Sequence, residues 1–372
     1  MRLRILALSL VVCVAPSLSA AFTTDRTNTF EWAGDITAIL QYNGTAMSKM
    51  TPVSSLARFS FEYSIQPGFA VVARAYASSG RNRLHRVPGA DAPVNTIAAM
   101  PMETMVSNGN TWPVRLDEMG IRVRGKHVSL TAALTDLSRA WGDDDGVMNN
   151  PLSSDVADGF VNGHFVRNLA VNWTEEDFFR SVPAVVARFV LDDWITLKTG
   201  MTFGDSEYHF FIRNSGFLQC DISWSLFGEG GALSLGIGAS DADKSNTHKL
   251  SPSAGVWLHQ SLGRGLTVFG QFSHAEESNR VSTLFGTCLW HASGGLVWQD
   301  LQGDHRVGLG LSTARFYGDA HNEKSAEIFW RIRLFKEVFL TLDLAILKNP
   351  AGTALPGEEW VALPAARFGA AF

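Results

Sequence analysis

The stretch AEIFWRIRLFKEVFLTLDLAIL (326–347) alternates apolar and polar residues twice over. In its first half Ile328, Trp330, Ile332 and Leu334 share one face, while Glu327, Arg331 and Arg333 share the other with Phe329 and Phe335. In its second half Val338, Leu340, Leu342, Leu344 and Ile346 oppose Thr341 and Asp343. Successive side chains of a strand point to opposite faces, so each half reads as a strand of about ten residues with one apolar face. Lys336 and Glu337, between the two halves, predict a tight turn.

The same alternation recurs outward from this pair. It is present at 218–227, where Leu218, Cys220, Ile222, Trp224 and Leu226 oppose Gln219, Asp221, Ser223 and Ser225, and near 232–239 and 266–273. At 58–65 Phe59, Phe61, Tyr63 and Ile65 oppose Arg58, Ser60, Glu62 and Ser64. The chain ends on one more such strand, ARFGAAF (366–372), with Phe368, Ala370 and Phe372 in alternate positions. Strands of soluble sandwiches run about 5–6 residues. Strands of about ten with one strictly apolar face fit a tilted membrane crossing. The connections also alternate: 348–359 and 317–325 are long, while Lys336-Glu337 and 302–304 are short. A barrel with one loop-rich end and one tight-turn end has such links. The expected fold is therefore all-β, a transmembrane antiparallel β-barrel of roughly 16 strands, with 18 the alternative. A closed barrel leaves no strand edge in lipid, so the last strand should pair with the first.

The opening MRLRILALSLVVCVAPSLSAAF carries Arg2 and Arg4, a short apolar core from Ile5 to Val14, and small residues after Pro16. This predicts a signal peptide over 1–21 that is cleaved, leaving a barrel domain over 22–372. No internal stretch is long and apolar enough for a transmembrane helix. Of 372 residues 46% are hydrophobic and 18% charged, with a net charge of −5. That charge gives no reason to expect a nucleic-acid partner. Cys220 and Cys288, the cysteines beyond the signal segment, lie in strand patterns and read as unpaired apolar side chains. The histidines form no paired metal motif, and no metal or cofactor is expected. Gly142-Asp143-Asp144-Asp145-Gly146 lacks calcium-loop spacing and reads as a solvated loop.

The segment from Ser325 to Phe372 resembles the end of the OprB-type carbohydrate-selective porins. Glu327-Ile328-Phe329-Trp330-Arg331 is similar to that family's Glu-x-x-Tyr-Arg strand. Asp343-Leu344-Ala345-Ile346-Leu347-Lys348-Asn349-Pro350-Ala351-Gly352 is similar to its strand ending Asn-Pro-Gly, and Phe372 closes the chain as in the family. Earlier, RVRGKHVSL (122–130) resembles the family's Arg-x-Gly-Lys strand, LTDL (134–137) the Thr-Asp strand after it, and FVNGHFVRN (160–168) its Phe-x-Asn-x-x-Phe-x-Asn segment. The family's Gln-Tyr is Ala345-Ile346 here, and its Phe-Asp-Thr-Asn is Ser138-Arg139-Ala140-Trp141. The resemblance implies an outer-membrane channel, not an enzyme, for passive diffusion of small hydrophilic solutes, sugars first. A general or anion-preferring porin is the alternative, with an outer-membrane enzyme a further one. It implies contact with outer-membrane lipid and the barrel-assembly machinery, and leaves open a monomer or a trimer.

Selectivity in such a channel comes from inward charges and constriction loops. The candidate lining residues are Arg331, Arg333 and Glu327 on one strand and Asp343 on the next, with Arg122, Arg124, Arg58 and Glu62. Arg331 and Arg333 fall past the middle of their strand, where a narrow waist would sit. Guanidinium groups donate forked hydrogen bonds to hydroxyls without losing charge. The alternative is that these charges simply pair across a wet wall and hold it open. Phe368 and Phe372 are the expected assembly signal. Trp32, Trp141, Trp173, Trp194, Trp257, Trp298 and Trp360 are expected in interface girdles or in the lumen. His259, His274 and His291 are expected in the lumen or at its rim.

Overall fold

The computed structural model describes residues 29–41, 53–80, 114–135, 160, 182–203, 214–240, 251–276, 288–316, 321–349 and 360–371. These residues form sixteen strands closed into one antiparallel barrel. The strands are β1 (Thr29–Gln41), β2 (Val53–Gln66), β3 (Phe69–Gly80) and β4 (Val114–Arg124), then β5 (Val128–Thr135), β6 (Val182–Asp192), β7 (Ile195–Phe203) and β8 (Asn214–Leu226). They continue with β9 (Glu229–Ser240), β10 (Ser251–Gly263), β11 (Leu266–Ala275) and β12 (Cys288–Gln299), then β13 (His305–Phe316), β14 (Glu323–Phe335), β15 (Val338–Lys348) and β16 (Trp360–Ala371).

Each strand pairs with its neighbours in sequence, and β1 closes the ring against β16 from Asp35↔Ala371 to Gln41↔Ala365. The expected pairing of last strand with first is met, which satisfies the backbone of both would-be edges. The sequence reading of 317–325 as a long link needs correction. β14 already begins at Glu323, so that link spans 317–322. Likewise RVRGKHVSL is not one strand: Arg124 ends β4, Gly125–His127 turn, and Val128 begins β5.

Every second connection is short. Phe227-Gly228 and Arg264-Gly265 join their hairpins with all four residues at positive φ (54°, 83°, 51° and 76°). This turn geometry matches the twist of the flanking strands, and glycine at the second position carries it without a Cβ clash. The short turns lie at one end of the barrel, together with the start of β1 and the end of β16. The links 42–52, 81–113, 136–181 and 204–213, like the four later ones, leave from the other end.

The two faces differ as a membrane requires. Alternate residues such as Leu235, Ile237, Leu258, Leu309, Ile328, Leu344 and Phe368 are exposed on the outside although apolar. Their neighbours Ser234, Gln219, Gln271, Ser293, Glu327 and Thr341 point inward and are buried. Polar-in, apolar-out is the pattern of a barrel whose outer solvent is lipid. The register foreseen for 326–335 holds from Glu327 to Ile332 and then shifts between Arg333 and Phe335.

Candidate lumen site

Three inward arginines and two glutamates converge on β2, β3 and β4. Arg124 Nη1 donates to Glu62 Oε1 at 2.6 Å and its Nη2 to Oε2 at 3.2 Å. Arg122 Nη1 donates to Glu62 Oε2 at 3.0 Å, and its Nε donates to Thr131 Oγ1 of β5 at 3.3 Å. Arg122 Nη2 lies 3.7 Å from Glu118 Oε1, and Arg74 Nη2 3.5 Å from Glu118 Oε2. The chain of charges thus runs Arg74, Glu118, Arg122, Glu62, Arg124. The geometry has a backbone cause. Glu62, Val72, Gly120 and Ala133 stand in one cross-strand row, and Ala70 opposes Arg122. Small side chains on β3 let the Glu62 and arginine heads meet above it.

Of the candidates read from sequence, Arg122, Arg124 and Glu62 meet here. Arg58 holds the same inward register as Glu62, opposite Asp35 and Tyr76, but its side chain lies outside the described residues. Arg74 and Glu118 were missed, although Arg74 alternates with Val71 and Ala73 in a readable strand pattern. Further round the wall Lys198 Nζ lies 2.9 Å from Asp221 Oδ2, and Gln219 donates to Asp221 Oδ1 at 2.5 Å. Arg188 stands opposite Lys198 in register.

A second group stands on β14–β16. Glu327 and Asp343 stand diagonally across β14 and β15, since Glu327 opposes Ala345 and Asp343 opposes Phe329, and Arg367 of β16 opposes Thr341, on the same inward face. Both carboxyls point inward, yet Glu327 is only 1% and Asp343 8% exposed. The Arg331 guanidinium carbon sits 3.5 Å from the Phe339 ring centroid. Arg331 and Arg333 have different surroundings. Arg333 pairs with Phe339 beside the 336–337 turn, is exposed, and reaches toward Gly303 of the 300–304 turn, at the barrel rim.

Inside the barrel, Phe160 comes from the long β5–β6 link and is fully buried. Its ring meets Phe269 edge-on at 5.5 Å and Phe329 at 4.7 Å. Phe329 in turn lies over Gly308, where a Cβ would stand 2.1 Å from the ring. The aromatic cluster occupies β11–β14, across the ring from the charged group on β2–β4. In the sequence Phe160 stands out only as the first residue of the 160–168 segment, and its place inside the barrel is not legible there because its partners lie far away in sequence.

The tryptophans divide. Trp32, Trp194, Trp298 and Trp360 are exposed at the ends of the outer surface, whereas Trp257 points inward and is fully buried. His259 and His291 point inward, and His274 faces outward near the long-link end. His305 stacks on Trp330 at 6.0 Å, so the Asp304-His305 pair serves the turn and outer wall. Cys220 and Cys288 are not joined in a disulfide, and Cys288 Sγ donates to the Trp290 carbonyl at 3.3 Å. The signal segment 1–21, Trp141, Trp173, 142–146, 161–168 and Phe372 lie outside the described residues.

A sixteen-strand barrel, apolar outside and polar inside, with Phe160 of the β5–β6 link held within it, has the fold of the outer-membrane porins, a class of channels rather than enzymes. Within that class the barrel is OprB-like. It superposes on OprB of Pseudomonas putida at high pH with a TM-score of 0.70 and 14% identity, covering 92% of this chain and 94% of that one. The low-pH structure of the same protein gives a TM-score of 0.53 at 12% identity, over 92% of each chain. A triple mutant of the Rhodopseudomonas blastica porin gives 0.56 at 12% identity, covering 92% of this chain and all of that one. No protein-family model and no curated protein matches the sequence.

Proposed function

We propose that this protein is an outer-membrane porin through which small hydrophilic solutes, carbohydrates in particular, diffuse passively into the periplasm. The observation that carries the reading is the inward cluster Arg74, Glu118, Arg122, Glu62 and Arg124. It supplies fixed guanidinium groups beside carboxylates, and Arg124 keeps 42% of its side chain exposed. Guanidinium donors and carboxylate acceptors together complement a sugar hydroxyl, which both donates and accepts. Arg122, Arg124 and Glu62 are therefore the primary selectivity residues, with Arg58 in the same inward register. Glu327, Asp343 and Arg331 brace the wall on β14 and β15, about a quarter-turn round the ring from this cluster, and Arg333 marks the short-turn rim. The segment 1–21 is proposed as the export signal, and Phe368 with Phe372 as the assembly signal.

Three arginines against two glutamates leave one surplus positive charge in the cluster, which favours an anion-preferring pore as the second reading. Planar bilayers separate the two. Sugar added to either side should reduce the ion current of the parent channel, and liposomes bearing it should swell in a sugar gradient. A pore whose current is insensitive to every sugar tested would leave the anion-preferring reading in its place.

A further inference from the structure

We propose that the outward face of β13–β15, at the long-link end, binds the phosphate-bearing headgroup of an anionic membrane lipid. The inference rests on the reading of this barrel as membrane-spanning. Lys324 and Lys348 stand directly opposite each other on neighbouring strands. Both belong to the outward alternate set, in line with Ile328 and Trp330 of β14 and with Leu344 and Ile346 of β15. Side chains directly opposite across a strand pair have Cβ atoms about 4.5–5.5 Å apart, and like charges there repel. Arg315 of β13 adds a third cation diagonal to Lys324, since Thr313 is the residue opposite it. Each carboxylate on β13–β15 among the described residues, Glu323, Glu327 and Asp343, faces inward and is buried. The lipid side of these strands therefore carries three cations and no described anion. An anion seated between the cations converts the repulsion into attraction.

The position selects a lipid as the source of that anion. The cations stand at the edge of the apolar band, just on the long-link side of exposed Ile328, Ile346 and Leu311. A tryptophan ends the row on either side. Trp290 opposes Arg315, and Trp360 opposes Lys348, whose Nζ is 5.0 Å from the Trp360 ring centroid. Tryptophan rings at that level mark the headgroup zone of a bilayer. Lysine and arginine stems can lie along apolar surface there while their heads reach the phosphates.

The test is native mass spectrometry of the full folded protein in neutral detergent. Phosphatidic acid and phosphatidylcholine are added in equal amounts. The parent should retain phosphatidic acid preferentially. The triple variant Arg315→Gln/Lys324→Gln/Lys348→Gln should lose that preference by about tenfold or more, from the usual gain per basic residue at an anionic surface. Lys324→Gln alone should lose about fivefold, and it carries the test if the triple variant does not fold. A Lys126→Gln/Arg264→Gln control, altered at the short-turn end, should bind like the parent. Equal retention by the parent and the folded substituted proteins, equal loss in the control, or displacement of the lipid by inorganic phosphate at the same concentration would overturn the assignment. Heat-modifiable migration of the parent separates the two levels of failure. A folded parent without lipid preference sinks this site alone, whereas a parent that never forms a heat-modifiable barrel sinks the membrane-spanning reading with it.

Discussion

Glu62 of β2 grips Arg124 of β4 across the intervening strand, with nitrogen–oxygen distances of 2.6 and 3.2 Å. Strands in a sheet are spaced by about 4.8 Å, so the two backbones stand nearly 10 Å apart. The contact exists because β3 contributes only Ala70 and Val72 beneath it, both buried. One carboxylate thereby fixes two guanidiniums, Arg122 and Arg124. Fixed charges act on a passing solute more strongly than mobile ones, since no reorganisation is needed when the solute arrives.

Changes on the two sides of this contact should move ion preference in opposite directions. Glu62→Gln removes the shared acceptor charge and should raise anion preference. Arg122→Ala with Arg124→Ala should lower it and raise single-channel conductance. Reversal potentials in a potassium chloride gradient give the sign directly. A shift in the same direction for both variants would mean that this cluster does not set the pore field.

Phe160→Ala should loosen the inner aromatic anchor. Truncating a fully buried phenylalanine costs about 3–5 kcal/mol, because the cavity it leaves only partly collapses. The loss falls on the docking of the β5–β6 link, so conductance should become larger and noisier while the barrel stays folded. Phe160→Leu should be milder. Current traces indistinguishable from the parent would show that Phe160 does not restrict the pore.

Ile328→Arg tests the register of β14. Ile328 is exposed on the outer face, and an arginine near mid-depth on the lipid side costs about 2–4 kcal/mol. The heat-modifiable fraction in outer membranes should fall, while Ile328→Val should leave it unchanged. Normal assembly of Ile328→Arg would place residue 328 inside the barrel.

Topology is open to labelling in a Cys220→Ser/Cys288→Ser background. Thr353→Cys lies in the long link between β15 and β16 and should react with an impermeant thiol reagent on intact cells. Lys336→Cys, in a two-residue turn, should react only after the envelope is opened. The reverse pattern would invert the barrel in its membrane.

Deleting Phe372 should lower the yield of folded barrel in the outer membrane. In the sequence the residue continues the alternate positions of Phe368 and Ala370, which lie on the closing strand where β16 meets β1. A yield equal to the parent's would remove the C-terminal signal from the account of assembly.

Much of the fold was legible in the chain itself. Alternation such as that of Ile328 through Leu334 is a local property, because neighbouring side chains of a strand must face different solvents. The pattern determined strands such as these, their inner and outer faces and the tight turn at Lys336-Glu337, while chain length gave roughly 16 strands or 18, and ring closure decided for sixteen. It also put Arg122, Arg124 and Glu62 on the polar side. It could not bring them together, because Glu62 and Arg122 are 60 residues apart and meet only when β2, β3 and β4 lie side by side. Nor could it separate Arg331, stacked on Phe339, from Arg333 at the rim, since the shift between Arg333 and Phe335 depends on pairing with β15. Trp257 and Phe160 make the same point from inside the barrel. A tryptophan or a phenylalanine suits a lipid belt and a buried interior equally well, and only ring closure decided which one each received. Periodicity fixes which way a side chain points, while register and closure fix what it meets.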